Sequence, residues 1–177
     1  MSGDFDAARA HRRTQARSSG RAPRRGDGLA SVLALWFGCG RAPFAPGTAG
    51  TLGAIPLYLL LRPYGVLAVL VAAVVVTAVG VWAAGRVAER TGLTDPQTVV
   101  IDEVAGVLVT WLAAPASTTG LVVGFVLFRL FDQLKPWPAG WAEKRLPGGW
   151  GIVFDDVFAG VWGAVALLAA RHAGLVT

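Results

Sequence analysis

Six acidic residues follow Val99, and five of them fall in three compact motifs: Asp102–Glu103, Asp132 and Asp155–Asp156. The sixth, Glu143, falls beside Lys144 and Arg145 in a stretch after "FRLFDQLKPWP" that is expected to be a loop as far as Gly151. Each motif lies at or near the end of an apolar run that reads as a helix, where burying a carboxylate without a partner is costly. A single acid pair at a helix start can simply complement the helix dipole. Three such motifs brought together would place up to five carboxylates in a small volume, and that cluster repels itself unless a cation sits within it. An all-oxygen donor set suits Mg²⁺ or a similar hard cation, which takes one or two carboxylates directly and keeps several waters.

The neighbours of these acids point toward phosphate. In "FRLFDQLKP", Arg129, Asp132 and Lys135 are spaced i, i+3, i+6, which predicts Asp132 between two cations on one helical face. A structural ion-pair ladder would use the same pattern. A phosphate site would also want a guanidinium fork and a lysine beside a metal ligand. Upstream, "GCGRAPFAPGTAGTLG" carries Gly47, Thr48, Gly50 and Thr51 at an expected helix start, where backbone amides can receive an anion. No lysine follows these glycines in the Walker A manner. Asp156, Gly160 and Gly163 share one helical face, and Gly106 lies one turn below Asp102, so the helices bearing the acids can approach closely.

Several other phosphate chemistries are excluded. The only histidines are His11 and His172, both near the termini, and Cys39 is the single cysteine, with no arginine six residues later. Neither D-x-D-x-T nor D-G-x-x-A-R occurs. Metal-assisted attack by water or by a carboxylate remains.

The elements that must position these residues are apolar. Hydrophobic residues make up 54% of the 177 and charged residues only 15%, with mean hydropathy +0.56. A soluble domain carries roughly a quarter charged residues, so the expected fold class is all-α: a compact polytopic helical membrane bundle with some short or re-entrant helices. Residues 65–84 form the cleanest span, with further apolar segments at 29–37, 52–61, 99–114, 120–131 and 152–170. Seven tryptophans suit interfacial belts or core filling.

The formal charge of +5 is concentrated in residues 1–28, where seven arginines face three aspartates. This basic segment is expected to be a disordered cytoplasmic tail with no nucleic-acid-binding face, and no secretory signal peptide is expected. With the tail in the cytoplasm, "RPYG" and "PASTT" turn outward. The loops holding Arg41, Arg86, Arg90, Arg129, Lys135, Lys144 and Arg145 turn inward, with Arg62 and Arg171 as exceptions. Residues 38–51, 101–106, 129–138 and 147–160 then share the cytoplasmic side.

Four stretches in order, "PFAPGTAGTLGAIP", "IDEVAG", "FRLFDQLKPWP" and "GGWGIVFDDVFAG", resemble those of the phosphatidylglycerophosphatase A family over roughly residues 30–170. Glu143 in "WAEKR" is a mild departure, since relatives often carry aspartate there. The resemblance implies a Mg²⁺-dependent lipid phosphatase of the bacterial inner membrane, with residues 29–177 as its membrane domain and its site facing the cytoplasm. Its substrate would be phosphatidylglycerophosphate. Asp102, Glu103, Asp132, Asp155 and Asp156 would be the metal and catalytic carboxylates, with Arg129 and Lys135 on the phosphate. Gly47, Thr48, Gly50 and Thr51 would complete the cradle. The residues alone leave open a phosphatase of another lipid phosphate, such as phosphatidic acid. They also leave open a small ion-coupled transporter, which would carry its acids near mid-helix along a path.

Overall fold

The computed structural model describes residues 27–177, which form eight α-helices, two short 3₁₀ segments and no strand among the described residues. All seven arginines of the basic segment lie outside the described residues. In chain order the helices are α1 (Asp27–Ala34), α2 (Pro46–Gly53), α3 (Ile55–Leu61), α4 (Val66–Thr91), α5 (Ile101–Trp111), α6 (Thr118–Leu134), α7 (Ala139–Arg145) and α8 (Gly149–His172).

α5 is the centre of the bundle. Nearly every residue in it is buried, so it reads as apolar all round, whereas a surface helix would be striped. α2, α4, α6 and α8 all pack on it. The Trp111 indole packs at a tilt on Tyr58 of α3, ring centres 4.8 Å apart, and donates its N–H to the Leu121 carbonyl at 3.1 Å. Trp111 is thus core filling, as is Trp36, whose N–H donates to the Gly53 carbonyl at 2.8 Å. Trp137, Trp141 and Trp150 are exposed, as an interfacial belt requires.

α4 and α8 are long and apolar enough to cross a membrane, with mean hydropathies of 2.7 and 1.8 over an 18-residue stretch of each. α4 runs seven residues beyond the expected 65–84 span, through the polar stretch from Arg86 to Thr91. Arginine, alanine and glutamate there are good helix formers, and Gly92, at φ 72°, supplies the left-handed residue that ends the helix. α6 has 17 residues, about a turn short of an upright span. Its Val122, Val126 and Leu130 make an exposed apolar stripe at i, i+4, i+8. The stretch from Pro138 to Gly151, expected as a loop, contains α7 and the first turn of α8. α8 can begin early because Gly149 lies against α4, where a Cβ would collide with the Val81 carbonyl.

The most extensive helix contact is between α5 and α8, and glycine makes it close. A Cβ on Gly160 would overlap the Gly106 carbonyl, and one on Gly106 would lie 2.5 Å from the Asp156 carbonyl oxygen. The Thr110 hydroxyl donates to the Gly160 carbonyl at 3.0 Å, which ties the two backbones together. This is the approach that the glycine spacing predicts, and it sets the acid motifs of the two helices side by side.

Candidate active site

The start of α2, the start of α5, the end of α6 and the second turn of α8 meet at one end of the bundle around an open cavity of about 680 Å³. Asp102, Glu103, Arg129, Asp132, Lys135, Asp155 and Asp156 all line it, with Gly47 and Thr48. Asp102, Asp132, Asp155 and Asp156 are each no more than 7% exposed. That degree of burial sets them apart from acids that merely decorate a helix end. For the α8 pair the cap reading also fails on position, because the first turn of α8 contains no acidic residue.

Consecutive residues on a helix point about 100° apart, and the α8 pair uses that divergence. Asp156 faces α5, where Asp102, Glu103 and Asp156 each offer an oxygen within 4.8 Å of the others, a grouping that could hold a metal ion. Asp155 faces the other way, and its Oδ2 accepts from the Lys135 ammonium at 2.6 Å. Its Oδ1 accepts the backbone N–H of Asp156 at 2.9 Å. Asp132 is in electrostatic contact with both Glu103 and Asp156, and pairs with Arg129 at 2.8 Å. The five carboxylates therefore share one cavity, but three converge while Asp132 and Asp155 each hold a cation.

The donor set fits a hard cation. Glu103 Oε2 is buried without a hydrogen-bond partner, an arrangement that costs free energy unless something positive occupies that side. Glu103 Oε1 is 3.9 Å from Arg129, too far to satisfy it. Gly47 is packed so tightly that a Cβ there would collide with Glu103 Oε1, so α2 presses on this carboxylate directly.

Lys135 does not continue the Arg129–Asp132 face as the spacing predicts. It caps α6 in the left-handed region, at φ 43° and ψ 54°. Pro136 follows and disfavours further helix. The turn swings the ammonium away from Asp132 onto Asp155 and, at 3.0 Å, onto Glu143 of α7. Burial alone would lower the pKa of this ammonium; the two carboxylates outweigh that and hold it above its ordinary value. Glu143, which reads as a loop residue beside two cations, thus belongs to the Lys135 network.

α2 begins at Pro46, where the missing N–H costs nothing, and Ala45 before it sits in the left-handed region at φ 46°. Gly47 and Thr48 face the cavity. Gly50 and Thr51 do not: Gly50 packs on Val100, and the Thr51 hydroxyl is buried and donates back to the Gly47 carbonyl at 2.9 Å. One helical turn separates a cradle residue from a packing residue here. Asp95 and Gln97, from the segment before α5, also line the cavity. They sit in an irregular stretch without periodicity, and their one sequence signal is polarity just upstream of "IDEVAG".

Six carboxylates (Asp102, Glu103, Asp132, Glu143, Asp155 and Asp156) are served by two cations, Arg129 and Lys135. A phosphate dianion is repelled by such a field unless protons or further positive charge offset it.

Comparison with known proteins agrees with this chemistry. Residues 32–171 match the family model described as phosphatidylglycerophosphatase A. The chain is 37% identical to phosphatidylglycerophosphatase A of Escherichia coli K12, over 80% of this chain and 83% of that protein. It is 34% identical to phosphatidylglycerophosphatase A of Haemophilus influenzae, over 80% and 88%. It is also 41% identical to a candidate phosphatidylinositol-3-phosphatase of Bacteroides thetaiotaomicron, over 81% and 94%. No solved structure matches significantly. The matched span runs from α1 to the last turn of α8 and takes in every residue of the acidic cavity, so the chain belongs to the phosphatidylglycerophosphatase A family.

Proposed function

We propose that the chain hydrolyses phosphatidylglycerophosphate to phosphatidylglycerol and inorganic phosphate, at a Mg²⁺ site in the α2–α5–α6–α8 cavity. The observation that carries this is the convergence of Asp102, Glu103 and Asp156 beside two cations, with a buried oxygen of Glu103 left unpaired. Mg²⁺ held by those three residues would supply the charge that lets a phosphate approach and would polarise its P–O bond.

The chain's own groups do the rest. The Arg129 guanidinium and the Lys135 ammonium bind the non-bridging phosphate oxygens and stabilise charge that develops on them. The Thr48 hydroxyl and the first free amides of α2 receive the remaining oxygen, where the helix dipole also favours an anion. Asp155 and Glu143 orient Lys135, and Asp132 orients Arg129. The P–O bond to the glycerol oxygen breaks, and that oxygen leaves with a proton as the lipid alcohol. Water supplies the new P–O bond, either directly or by hydrolysing an acyl phosphate first formed on a lining carboxylate, and in either route one proton of that water ends on the departing glycerol oxygen. The cytoplasmic side suits the site, because Arg41, Arg86, Arg90, Lys144 and Arg145 fall on the loops and helix ends of the same side in the inward threading.

The test is phosphate release from phosphatidylglycerophosphate by the protein purified in detergent. Turnover is expected with Mg²⁺, not with EDTA, and Asp156→Asn is expected to abolish most of it. Metal-independent turnover, or full activity in the variant, would sink the site. Phosphatidic acid and phosphatidylinositol 3-phosphate assayed alongside decide the head group, and faster release from either would reassign the substrate.

A further inference from the structure

The acidic cavity does not stand alone. A second cavity of about 840 Å³ adjoins it through Asp95, Ile152 and Asp155, which line both. This second cavity is floored by the glycines at the start of α8 and ends at Trp150. Trp150 also lines a third space, an apolar groove of about 550 Å³ between α4 and α8. Its walls are Leu70, Val74, Ala78 and Val81 of α4 facing Trp150 and Phe154 of α8. The polar hydroxyl in the groove, that of Thr77, is already spent on the Ala73 carbonyl at 2.7 Å.

Three observations identify what the groove takes. Its walls are the two helices long and apolar enough to cross a membrane, so it opens to hydrocarbon. The eleven-residue rise from Leu70 to Val81 is about 16 Å at 1.5 Å per residue, close to half of a roughly 30 Å hydrocarbon core. It therefore has the length of one leaflet. Finally, Trp150 and Phe154 meet at a tilt with ring centres 5.4 Å apart, and Phe158 meets Phe154 edge-on at 6.0 Å, so a file of aromatic rings runs from the second cavity down α8.

We propose that the α4–α8 groove holds an acyl chain of the substrate. This rests on the lipid-phosphatase reading above and extends it. The three spaces follow the order of the lipid's own parts: phosphomonoester among the acids, glycerol in the second cavity with the phosphodiester at Lys144, its one lining cation beside Glu89, Asp95, Glu143 and Asp155, and alkyl chain in the groove. Because the bilayer is as apolar as the groove, the groove adds little to affinity through the hydrophobic effect. It acts by fixing which way the head group points, and the expected effects are correspondingly modest.

The experiment has two arms on the full chain in mixed micelles. Kinetically, Ala78→Trp fills the groove from an exposed position, whereas Val75→Trp places the same side chain at an exposed position of α4 outside it. Ala78→Trp is expected to raise KM for long-chain phosphatidylglycerophosphate about fivefold, roughly 1 kcal/mol, with kcat within about twofold, and Val75→Trp to change neither. In the second arm, wild type is photolabelled with a diazirine on the acyl chain of phosphatidylglycerophosphate or of phosphatidylcholine. The phosphatidylglycerophosphate probe is expected to mark residues 70–81 and 150–157. The phosphatidylcholine probe is expected to spread over the whole apolar surface, including Val122, Val126 and Leu130. Identical labelling by the two probes, or equal effects of the two tryptophans, overturns the groove. Groove labelling by an enzyme that releases no phosphate would instead overturn the activity and leave the groove standing.

Discussion

Gly106→Ala adds one methyl group at the point where α5 and α8 touch, directly behind the acid triad. The new Cβ would lie 2.5 Å from the Asp156 carbonyl oxygen and 2.5 Å from Phe128. The phenyl ring can move, but the carbonyl belongs to a helix backbone. Restoring an ordinary contact of about 3.4 Å requires the helices to part by about 0.9 Å, since close-packed interiors have no slack to absorb it. Alanine is favoured over glycine in a helix by about 0.5–1 kcal/mol, while overpacking costs about 1–3 kcal/mol. The net destabilisation is therefore small, on the order of 1–2 kcal/mol, and the variant folds. Function suffers more, because the residue displaced is itself a member of the triad. Metal–ligand distances tolerate only about 0.2 Å, and a misplacement near 1 Å can cost about a hundredfold in rate. Phosphate release against Mg²⁺ concentration, with thermal unfolding measured on the same preparation, reads both effects. Gly85→Ala is the control, since its Cβ would meet Gly149 of α8 at an ordinary 3.5 Å. A folded Gly106→Ala enzyme with wild-type turnover and Mg²⁺ dependence would refute the claim that this contact sets the site, as would an equal loss in Gly85→Ala.

Other substitutions separate the groups in the cavity. Lys135→Met should lower kcat/KM by about 10²–10³, the usual cost of one electrostatic donor; Lys135→Arg should not rescue it, because a planar fork does not replace a compact ammonium held between two carboxylates. Thr48→Ala should reduce turnover several-fold, whereas Thr51→Val, whose hydroxyl serves its own helix, should leave turnover unchanged. Mg²⁺ should raise the unfolding temperature of wild type by relieving carboxylate repulsion in the folded state alone, and that rise should vanish in Asp156→Asn when followed by thermal scanning.

Much of this arrangement was legible in the residues. Hydropathy marks α4 and α8, and the three acidic motifs all reach one cavity because short connections alternate the direction of successive helices. The glycines at 106, 160 and 163 announce the α5–α8 approach, since close backbones need small residues. What could not be read is direction. Asp155 and Asp156 are neighbours in the chain but belong to different clusters, because one step along a helix turns the side chain by about 100°. Lys135 fits the Arg129–Asp132 face only if the helix continues, and the left-handed turn before Pro136 removes that condition. Gly50 and Thr51 look like cradle residues until the start of α2 at Pro46 fixes the helical phase and points them inward. Asp95 and Gln97 lie in irregular backbone, where tertiary packing alone decides what faces the site.

The burial of α5 bears on the kind of protein this can be. Directly beneath the acids, the backbones of Gly106 and Gly160 are in contact, and Val104, Val107, Leu108 and Trp111 fill the space around them at 0–2% exposure. A solute carrier needs polar groups continuing from one mouth to the other, and the axis of this bundle is instead a solid hydrocarbon plug. In this conformation the carboxylates are open to one side alone. That geometry is unsuited to moving a solute across a bilayer, and it suits a surface reaction whose lipid product stays in the leaflet while the freed ion returns to the water it faced.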